Sequence, residues 1–512
     1  MSSTVALNKK TAFADGIKAE VLHISEEIKK LYLEDETPWV VGYSGGKDST
    51  AVLQLIWSAV TDLPKEQRNK VIHVISTDTL VENPIVAAWV DQSLIKMREA
   101  AQKDEIPFDV HRLTPKTESS FWVNLLGKGY PAPRHKFRWC TERLKIWPSN
   151  QFILDVVKKS GEAILVLGTR KAESTARKGR MVKLEEQRVR DRLSPNASLP
   201  NALVYTPVEN WSNDDIWLYL MQYTNPWGYQ NKDLLTMYQG ASADGECPLV
   251  IDTTTPSCGD SRFGCWVCTL VDKDKSMSAM IQNDEEKEWM LPLLRFRDLI
   301  DFRRGGKLDN DRSMRDFRKM SGNVQYFRER LVHGPYTQET RSNLLRELLK
   351  AQYWIQQNGP PEVSSIQLIT LDELQEIRRI WVVDKHEIED LLPAIYENEM
   401  KEVLPGPSLG ENLPFNKEDI ELLKSVCDGN AHDYELIRSL IDVEHRYRTM
   451  VSRRGLFKDL SGVFSRYLYA DEEDALDLAK RRDEALQEAK EHKKFAFDLN
   501  TSKMGVENRD DS

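Results

Sequence analysis

Residues 44–50, SGGKDST, form a polar segment with two adjacent glycines. Glycines let the backbone approach an anion closely, while serine hydroxyls, the Lys47 ammonium and free N–H groups at a helix start can all donate to phosphate. Asp48 is unusual in such a cradle and indicates either a magnesium ion or an N-capping role. The structural alternative is a glycine turn whose serine only caps a helix. The segment is distinct from a Walker A motif, because G-x-x-x-x-G-K-[ST] is absent.

The cysteines form a second group of residues that could take part in chemistry. The chain has six, and four lie close together in the pattern C-x10-C-x6-C-x2-C: Cys247, Cys258, Cys265 and Cys268. The two-residue spacing lets both thiolates of the last pair reach one metal centre. Four thiolates can hold either a zinc ion or an iron–sulfur cluster, and the spacing alone does not choose between them. Chance clustering of buried free cysteines is the structural alternative.

Short apolar and β-branched runs predict the strands that position these groups. They alternate with amphipathic helices and are PWVVGY (38–43), VIHVIS (71–76), FDVHRL (108–113) and AILVLG (163–168). Such alternation predicts an α/β fold with a doubly wound, mostly parallel sheet. Ligands bind such sheets at the carboxyl ends of the strands. We therefore expect 44–50, Asp78 and the turn 168–170 to lie at one site.

Other polar residues have weaker signals. His73 and His111 lie within predicted strands, and we interpret them as packing or surface residues. His135, beside Arg134 and upstream of Cys140, is a better candidate for contact with a phosphate. The segment 174–202 is charged and ends in Pro and Ser residues, so we predict a mobile loop or lid.

Beyond about residue 290 the strand pattern gives way to helical periodicity. We predict a nucleotide-binding domain at 1–285, including the cysteine-rich segment 247–268, and a mainly helical domain at 286–512. Between 295 and 350 there are 14 Lys or Arg against 8 Asp or Glu, a surplus of 14 − 8 = 6. This stretch is either a solvated helical face or a groove for a nucleic-acid backbone, which reversal of Arg303, Arg304, Arg315 and Arg318 would test.

Composition limits the class of protein. The 512 residues are 40% hydrophobic and 30% charged, which is typical of a globular chain. No apolar run approaches the ~18 residues of a membrane span, and the N-terminal stretch lacks the apolar core of a signal peptide. Net charge is 71 − 81 = −10, so non-specific coating of DNA is excluded. We expect a soluble, cytoplasmic protein with no membrane partner.

The motifs resemble those of a known superfamily. SGGKDS is similar to the pyrophosphate loop of the PP-loop ATP pyrophosphatases, whose fold is adenine nucleotide α-hydrolase-like. Four further segments resemble its PAPS/APS reductase-like branch: STDTLVENP (76–84), RWCTERLKIWP (138–148), LGTRKAES (167–174) and YTPVENWSNDDIWLYL (205–220). The resemblance covers about residues 38–270. It implies an enzyme that uses ATP and Mg²⁺ and splits ATP into AMP and pyrophosphate.

The resemblance also implies roles for individual residues. The nucleotide would be bound by Ser44, Gly45, Gly46, Lys47, Asp48, Ser49, Thr50, Asp78, Gly168, Arg170 and Glu173. Of these, the charged residues expected to act on the reacting phosphates are Lys47, Asp48, Asp78 and Arg170.

The same resemblance favours iron and sulfur at the cysteines. GCWVCTLV (264–271) resembles the GCxxCT segment of APS reductases, which holds two cluster ligands. Cys140 stands where that family has an adjacent cysteine pair, but here its neighbour is Trp139. The resemblance therefore implies a [4Fe–4S] cluster held by Cys140, Cys265, Cys268 and either Cys247 or Cys258. The remaining cysteine would be free to carry sulfur.

The later part of the chain decides among the branches. APS and PAPS reductases use a cysteine near their C-terminus, whereas the only cysteine here beyond 268 is Cys427, in the non-matching KSVCDGNAHDY. Length, cysteine spacing and a helical extension instead resemble the DndC family, sulfurtransferases of bacterial DNA phosphorothioation. That resemblance implies adenylation of a backbone phosphate, and DNA, a cysteine desulfurase and DndD- and DndE-like proteins as partners. The alternatives are a tRNA-thiolating PP-loop enzyme, a sulfonucleotide (PAPS/APS) reductase, and a non-catalytic nucleotide sensor with structural zinc.

Overall fold

The computed structural model describes residues 11–188, 190–241, 263–303, 311–406 and 415–504. Cys247, Cys258 and Arg304 lie outside these ranges. The described chain divides into two compact units that are discontinuous in sequence. The first comprises Met1–Phe121, Pro133–Ile300 and Trp354–Leu368, and the second comprises Trp122–Ala132, Asp301–Tyr353 and Ile369–Ser512. The expected boundary at residue 285 stays a prediction.

A six-stranded sheet forms the centre of the first unit. Its strands are β1 (Trp39–Gly42), β2 (Ile72–Thr77), β3 (Phe108–Leu113), β4 (Ala163–Val166), β5 (Ser194–Pro195) and β6 (Ala202–Tyr205). The spatial order is β3-β2-β1-β4-β6-β5, and only the pairing of β5 with β6 is antiparallel. Strand order reverses between β1 and β4. The sequence-based prediction of a doubly wound, mostly parallel α/β sheet is confirmed.

Several of the first unit's helices pack on its sheet and extend its core. The helices of this unit are α1 (Ile17–Glu34), α2 (Lys47–Thr61), α3 (Pro84–Lys103), α4 (Trp147–Ser160), α5 (Thr175–Glu185), α6 (Asn213–Gln222), α7 (Asn231–Gly240), α8 (Lys275–Asn283) and α9 (Leu291–Ile300). Val41 and Val74 face a large cluster with α1, α2 and α6. Val40 and Ile75 face the other cluster, which includes Ile153 of α4. Alternation along each strand thus gives both faces an apolar cover.

Local signals set the ends of the helices beside the site. Asn83 caps α3 by accepting a hydrogen bond from the Ile85 N–H at 3.0 Å, with Pro84 at the first helical position. At α6, Ser212 and Asp215 form a reciprocal capping box. These caps fix the residues at which α3 and α6 begin.

The segment 174–202 differs from its predicted form. It contains helix α5, capped by Ser174, followed by the short strand β5. The pattern was missed because α5 has no buried residue and therefore no apolar stripe. Strand β6 was also missed, since its four residues lie between two polar segments.

The second unit is mainly helical, as predicted for the C-terminal region. Its elements are the hairpin β7 (Tyr326–Phe327) and β8 (Arg330–Leu331), and helices α10 (Gln338–Asn358, shared with the first unit), α11 (Leu371–Arg379), α12 (Leu391–Met400), α13 (Lys417–Val426), α14 (Ala431–Tyr447), α15 (Leu456–Arg466) and α16 (Glu472–Met504). In the described part of the chain, every helix is too short or too polar to cross a membrane.

Candidate active site

A cavity of about 1080 Å³ opens at the carboxyl ends of β1, β2 and β4. This is where strand order reverses, the usual ligand position in such sheets. Most of the expected nucleotide-binding residues line it: Ser44, Gly46, Lys47, Asp48, Ser49, Asp78, Gly168, Arg170 and Glu173. Gly45 and Thr50 do not line it.

The loop before α2 is held open by its own backbone and hydroxyl groups. Gly45 has a φ of +73°, and a Cβ there would lie 2.5 Å from Cγ2 of Val90, so glycine is required for two reasons. The hydroxyls of Ser49 and Thr50 donate to the Gly46 carbonyl at 3.0 and 2.9 Å. Thr50 therefore stabilises the loop through this hydrogen bond without lining the cavity.

Asp48 lies between two cations. It accepts a hydrogen bond from Arg170 Nε at 2.7 Å, and its other carboxylate oxygen lies 3.5 Å from Lys47 Nζ. The N-cap of α2 is Gly46, without a side-chain cap, so the N-capping alternative for Asp48 is not realised. The carboxylate instead aligns Lys47 and Arg170 along one wall of the cavity.

Both cations are largely withdrawn from water. Burial is the main influence on Lys47 and lowers the pKa of its ammonium, while the Asp48 charge acts in the opposite direction. Arg170 is 4% exposed, and its guanidinium also donates to the Trp211 carbonyl at 3.3 Å. The Arg170 N–H donates to Glu173 at 2.9 Å, which orients the turn after β4. Together they offer an anion two positive charges that Asp48 holds in place and that burial shields from bulk water.

Asp78 belongs to a second charged group across the cavity. Its carboxylate pairs with Arg112 and accepts a hydrogen bond from the Leu80 N–H at 2.8 Å. Arg112 Nε also lies 3.3 Å from Asp91, whose pKa is raised by burial and by the Asp78 charge, against the effect of Arg112. Two carboxylates beside a phosphate-sized space are suitable ligands for Mg²⁺. Asp91 and Arg112 were not among the residues predicted from the sequence, although Arg112 lies within a predicted strand.

Three of the four cysteines that the structure describes, Cys140, Cys265 and Cys268, lie close to this cavity. Cys140 precedes a π-helical segment, Thr141–Ile146, while Cys265 and Cys268 share a turn closed by a 3.0 Å hydrogen bond from the Cys268 N–H to the Cys265 carbonyl. The Cys268 thiol is close enough to raise the pKa of both others electrostatically. Three of the five expected ligands are therefore neighbours, and Cys247 and Cys258 lie outside the described residues.

Burial governs the state of these thiols. It is the main reason why the pKa of Cys140 is raised and why that of Cys265 rises to about 12. Both would be protonated at neutral pH without a cationic ligand, and a metal centre would have to displace those protons. Cys427 is buried at the end of α13 in the second unit, in keeping with a structural thiol.

Two residues connect the cysteines to the cavity. Cys265 Sγ lies 3.8 Å from Glu82 Oε1, and Glu82 and Lys145, which both line the cavity, are 3.1 Å apart. Burial lowers the pKa of Lys145, but the neighbouring Cys265 and Glu82 charges more than offset it, so the net pKa is raised. Thr79 Oγ1 lies 3.3 Å from the same sulfur. Nothing in the sequence marks Glu82 or Lys145 beyond their place in the segments 76–84 and 138–148.

A cationic turn lies beside Cys140 in the first unit. Arg134 and Phe137 are bridged, and the intervening His135 and Lys136 are exposed, as is Arg138. His135 and Arg138 are in contact at 3.3 Å. The turn therefore offers several positive charges to an anionic substrate near the thiols.

The arginines of the basic stretch 295–350 are used differently. Arg303 Nε pairs with Asp301 at 3.1 Å, and Arg315 Nη1 donates to the His333 carbonyl at 3.1 Å. Arg318 has a side chain only 11% exposed, which pairs with Asp316 at 2.9 Å. These guanidiniums serve intramolecular contacts, and Arg304 lies outside the described ranges.

The comparisons with known proteins agree with the fold of the first unit. Residues 38–231 match the phosphoadenosine phosphosulfate reductase domain family. An uncharacterized protein of Methanocaldococcus jannaschii is 25% identical over 200 residues, or 39% of this chain. The chain spans about a third, 35%, of that relative's length. This part of the chain is thus similar in sequence to the PAPS reductase domain.

Three solved structures align with larger parts of the chain at low similarity. PAPS reductase from Candida auris is 13% identical and aligns over 44% of this chain and 92% of its own, with a TM-score of 0.26. FMN adenylyltransferase from Candida glabrata is 12% identical and aligns over 47% of this chain and 68% of its own, with a TM-score of 0.26. The U34-tRNA thiolase NcsA from Methanococcus maripaludis was solved with its [4Fe–4S] cluster. It is 13% identical and aligns over 56% of this chain and 80% of its own, with a TM-score of 0.27.

Proposed function

We propose that this protein is an ATP-dependent sulfurtransferase that adenylates a backbone phosphate of DNA and replaces one of its non-bridging oxygens with sulfur. One observation carries the proposal. The Cys265 thiol contacts Glu82, and Glu82 lines the same cavity as the PP-loop. A substrate activated by the nucleotide would therefore lie close to the cysteines that would take part in sulfur transfer. The choice of DNA as acceptor rests on the resemblance to the DndC family and on the cationic turn at 134–138.

Adenylation has a direct physical purpose here. A phosphodiester oxygen is a poor leaving group, and an incoming sulfur anion is repelled by the charged phosphate. In the proposed first step the DNA oxygen attacks the α-phosphorus of ATP, the α–β P–O bond breaks and pyrophosphate leaves. The loop N–H groups, Lys47 and Arg170 would stabilise the developing charge on pyrophosphate. Asp78 and Asp91 would hold the accompanying Mg²⁺.

Sulfur transfer to the activated phosphate is the proposed second step. The terminal sulfur of a cysteine persulfide, supplied by a cysteine desulfurase, attacks the DNA phosphorus, and AMP leaves with the activated oxygen. The thiolate of an external thiol attacks the inner sulfur of the persulfide. The S–S bond breaks, the terminal sulfur stays on phosphorus and a mixed disulfide forms between the cysteine and the external thiol, which a second external thiol reduces.

The described thiols are not gathered as closely as the ligands of a single zinc ion. Tetrahedral zinc with Zn–S bonds of about 2.3 Å places its sulfurs about 3.8 Å apart. Among the described residues, Cys140, Cys265 and Cys268 do not form a group whose ligand atoms all lie within 4.8 Å of one another. A [4Fe–4S] cluster, held by these three and by Cys247 or Cys258, is larger and would supply redox chemistry. The buried Trp139 and Trp266 beside the thiols would exclude water from it.

The test is mass spectrometry of nuclease-digested genomic DNA from cells carrying this gene. Phosphorothioate dinucleotides should be present with the intact gene and lost in Ser44→Ala and in Cys268→Ala. Matched controls are Ser58→Ala, an exposed serine on α2, and Cys427→Ala, a cysteine outside the site. Both controls should retain the modification.

Three results would contradict the proposal. DNA without phosphorothioates, together with thionucleosides in tRNA that depend on Ser44, would identify a tRNA thiolase. Sulfite formation from a sulfonucleotide by the purified protein would identify a reductase. Purified protein that contains zinc and releases no pyrophosphate would leave only a nucleotide sensor.

A further inference from the structure

Two histidines and an aspartate meet on one face of the sheet, away from the cysteines. In the parallel register of β2 and β3, His73 lies opposite Asp109, and His111 follows two residues later. Because side chains alternate along a strand, residues 109 and 111 share a face, and the register brings His73 to the same face. The grouping is therefore fixed by the backbone pairing of two strands in a rigid sheet.

The three side chains point one ligand atom each at a common centre. His73 Nδ1 lies 3.2 Å from His111 Nε2 and 3.4 Å from Asp109 Oδ2, and His111 Nε2 lies 3.0 Å from the same oxygen. In tetrahedral coordination with bonds of about 2.0–2.1 Å, neighbouring ligand atoms lie about 3.3–3.4 Å apart. Among the described residues this is the group of three metal-ligating side chains whose ligand atoms lie within 4.8 Å of each other.

The surroundings suit an ion with one accessible position. Phe152 of α4 packs against both imidazoles, with ring centroids 5.5 Å from His73 and 4.6 Å from His111. The histidine side chains are 19% and 26% exposed, whereas Asp109 is 56% exposed. The imidazoles are thus held in place on the apolar side while the carboxylate side opens to water.

We propose that His73, Asp109 and His111 form a binding site for a zinc-type divalent ion, with water as the fourth ligand. Two imidazole nitrogens and one carboxylate oxygen are a donor set that Zn²⁺ accepts in sites with an open position. The ion would also join the edge strand β3 to β2. The site lies near the amino end of β2, four residues from Thr77 and so about 13 Å along the strand from that wall of the cavity. The proposal does not depend on the proposed function.

The first measurement is a Co²⁺ titration of tag-free full-length protein, followed by competition with Zn²⁺. A histidine–carboxylate site gives visible d–d bands without the near-ultraviolet charge-transfer band of a thiolate ligand. This signature distinguishes it from metal bound by the cysteines. We expect one equivalent of such Co²⁺, displaced by Zn²⁺, and a melting temperature that rises when Zn²⁺ is added.

The variants are Asp109→Asn and His111→Gln, with His23→Gln, an exposed histidine on α1, as the matched control. Removal of a ligand should weaken Zn²⁺ binding by more than the roughly 10- to 100-fold that removal of an outer-shell partner costs. Asp109 is exposed, so its variant keeps the test valid if His111→Gln folds poorly. Absence of the d–d bands in the wild type, or equal Zn²⁺ affinity in wild type and Asp109→Asn, would show that the group is only a hydrogen-bonded triad.

Discussion

Gly168 lies in the wall of the cavity at a close contact between two backbone segments. A Cβ at this position would lie 2.9 Å from the carbonyl carbon and oxygen of Asp48, and both neighbours are backbone atoms. The turn after β4 therefore touches the first turn of α2 directly. This contact brings Arg170 within reach of Asp48, so the absence of a side chain at residue 168 positions the charges that face the nucleotide.

We expect Gly168→Ala to lower ATP-dependent pyrophosphate release at least tenfold while the protein stays folded. The added methyl group must displace the loop backbone, and overpacking of this kind costs about 1–3 kcal/mol. The measurement pairs pyrophosphate release with thermal unfolding. Gly240→Ala is the matched control, because nothing lies within 4 Å of its Cβ position. Full activity in Gly168→Ala would mean that the contact does not position the loop.

Asp48 can be tested separately from the loop geometry. Asp48→Asn keeps the size of the side chain and removes the charge that holds Lys47 and Arg170 in place. Because Lys47 and Arg170 would lose the carboxylate between them, we expect a less ordered site, which weakens ATP binding. The less neutralised cations attract the phosphates more strongly and offset part of that loss. ATP affinity should fall less than tenfold while the rate of pyrophosphate release falls at least tenfold. An equal decrease in both quantities would assign Asp48 to nucleotide binding instead.

Sequence reasoning found residues that occur in one continuous motif and missed those that depend on register. The loop 44–50 is recognisable from its two adjacent glycines. His73 and His111 were interpreted as packing or surface residues, since their proximity arises only when β2 pairs with β3. The usable signal was Asp109 and His111 two residues apart, which places an acid and an imidazole on one face of a strand.

At the element scale, a count of charges along the chain does not show which of them are paired within the fold. The stretch 295–350 has a surplus of basic residues, yet Arg318 lies against Asp316 and Glu435, with its guanidinium 5.1 Å from the Tyr467 ring centroid. The acidic partners come from both within and beyond the stretch. A linear charge count cannot detect partners that lie more than a hundred residues away, so the surplus does not mark an open anion-binding groove at this residue.

We therefore expect Arg318→Ala to destabilise the second unit rather than to act on DNA binding alone. Removal of a mostly buried guanidinium takes away the ion-pair partner of Asp316 and leaves its carboxylate with the backbone N–H of residue 318, at a cost of about 1–3 kcal/mol. Thermal unfolding should show a lower melting temperature. Arg328→Ala, an exposed arginine on the β7–β8 turn, is the matched control and should leave stability unchanged. An unchanged melting temperature together with weaker DNA binding would restore the groove hypothesis.

At the scale of the whole molecule, an acidic protein must bind DNA locally. The net charge of −10 repels a phosphate backbone at long range, so a binding surface needs a concentrated group of cations. The turn beside Cys140 has this character, because His135, Lys136 and Arg138 are all exposed there. It also lies in the same unit as the cavity, where an activated phosphate would have to be placed.

The double variant Lys136→Glu/Arg138→Glu tests this surface. We expect DNA affinity to fall at least tenfold at moderate salt, and the slope of log K against log salt to become shallower by roughly 2, one unit for each phosphate that the protein no longer neutralises. ATP binding should persist, since neither residue lines the cavity. Lys18→Glu/Lys30→Glu on α1 makes the same change in net charge at exposed positions and serves as the control. If both double variants weaken DNA binding equally, the effect comes from net charge, and the DNA contact lies on another surface or on a partner protein.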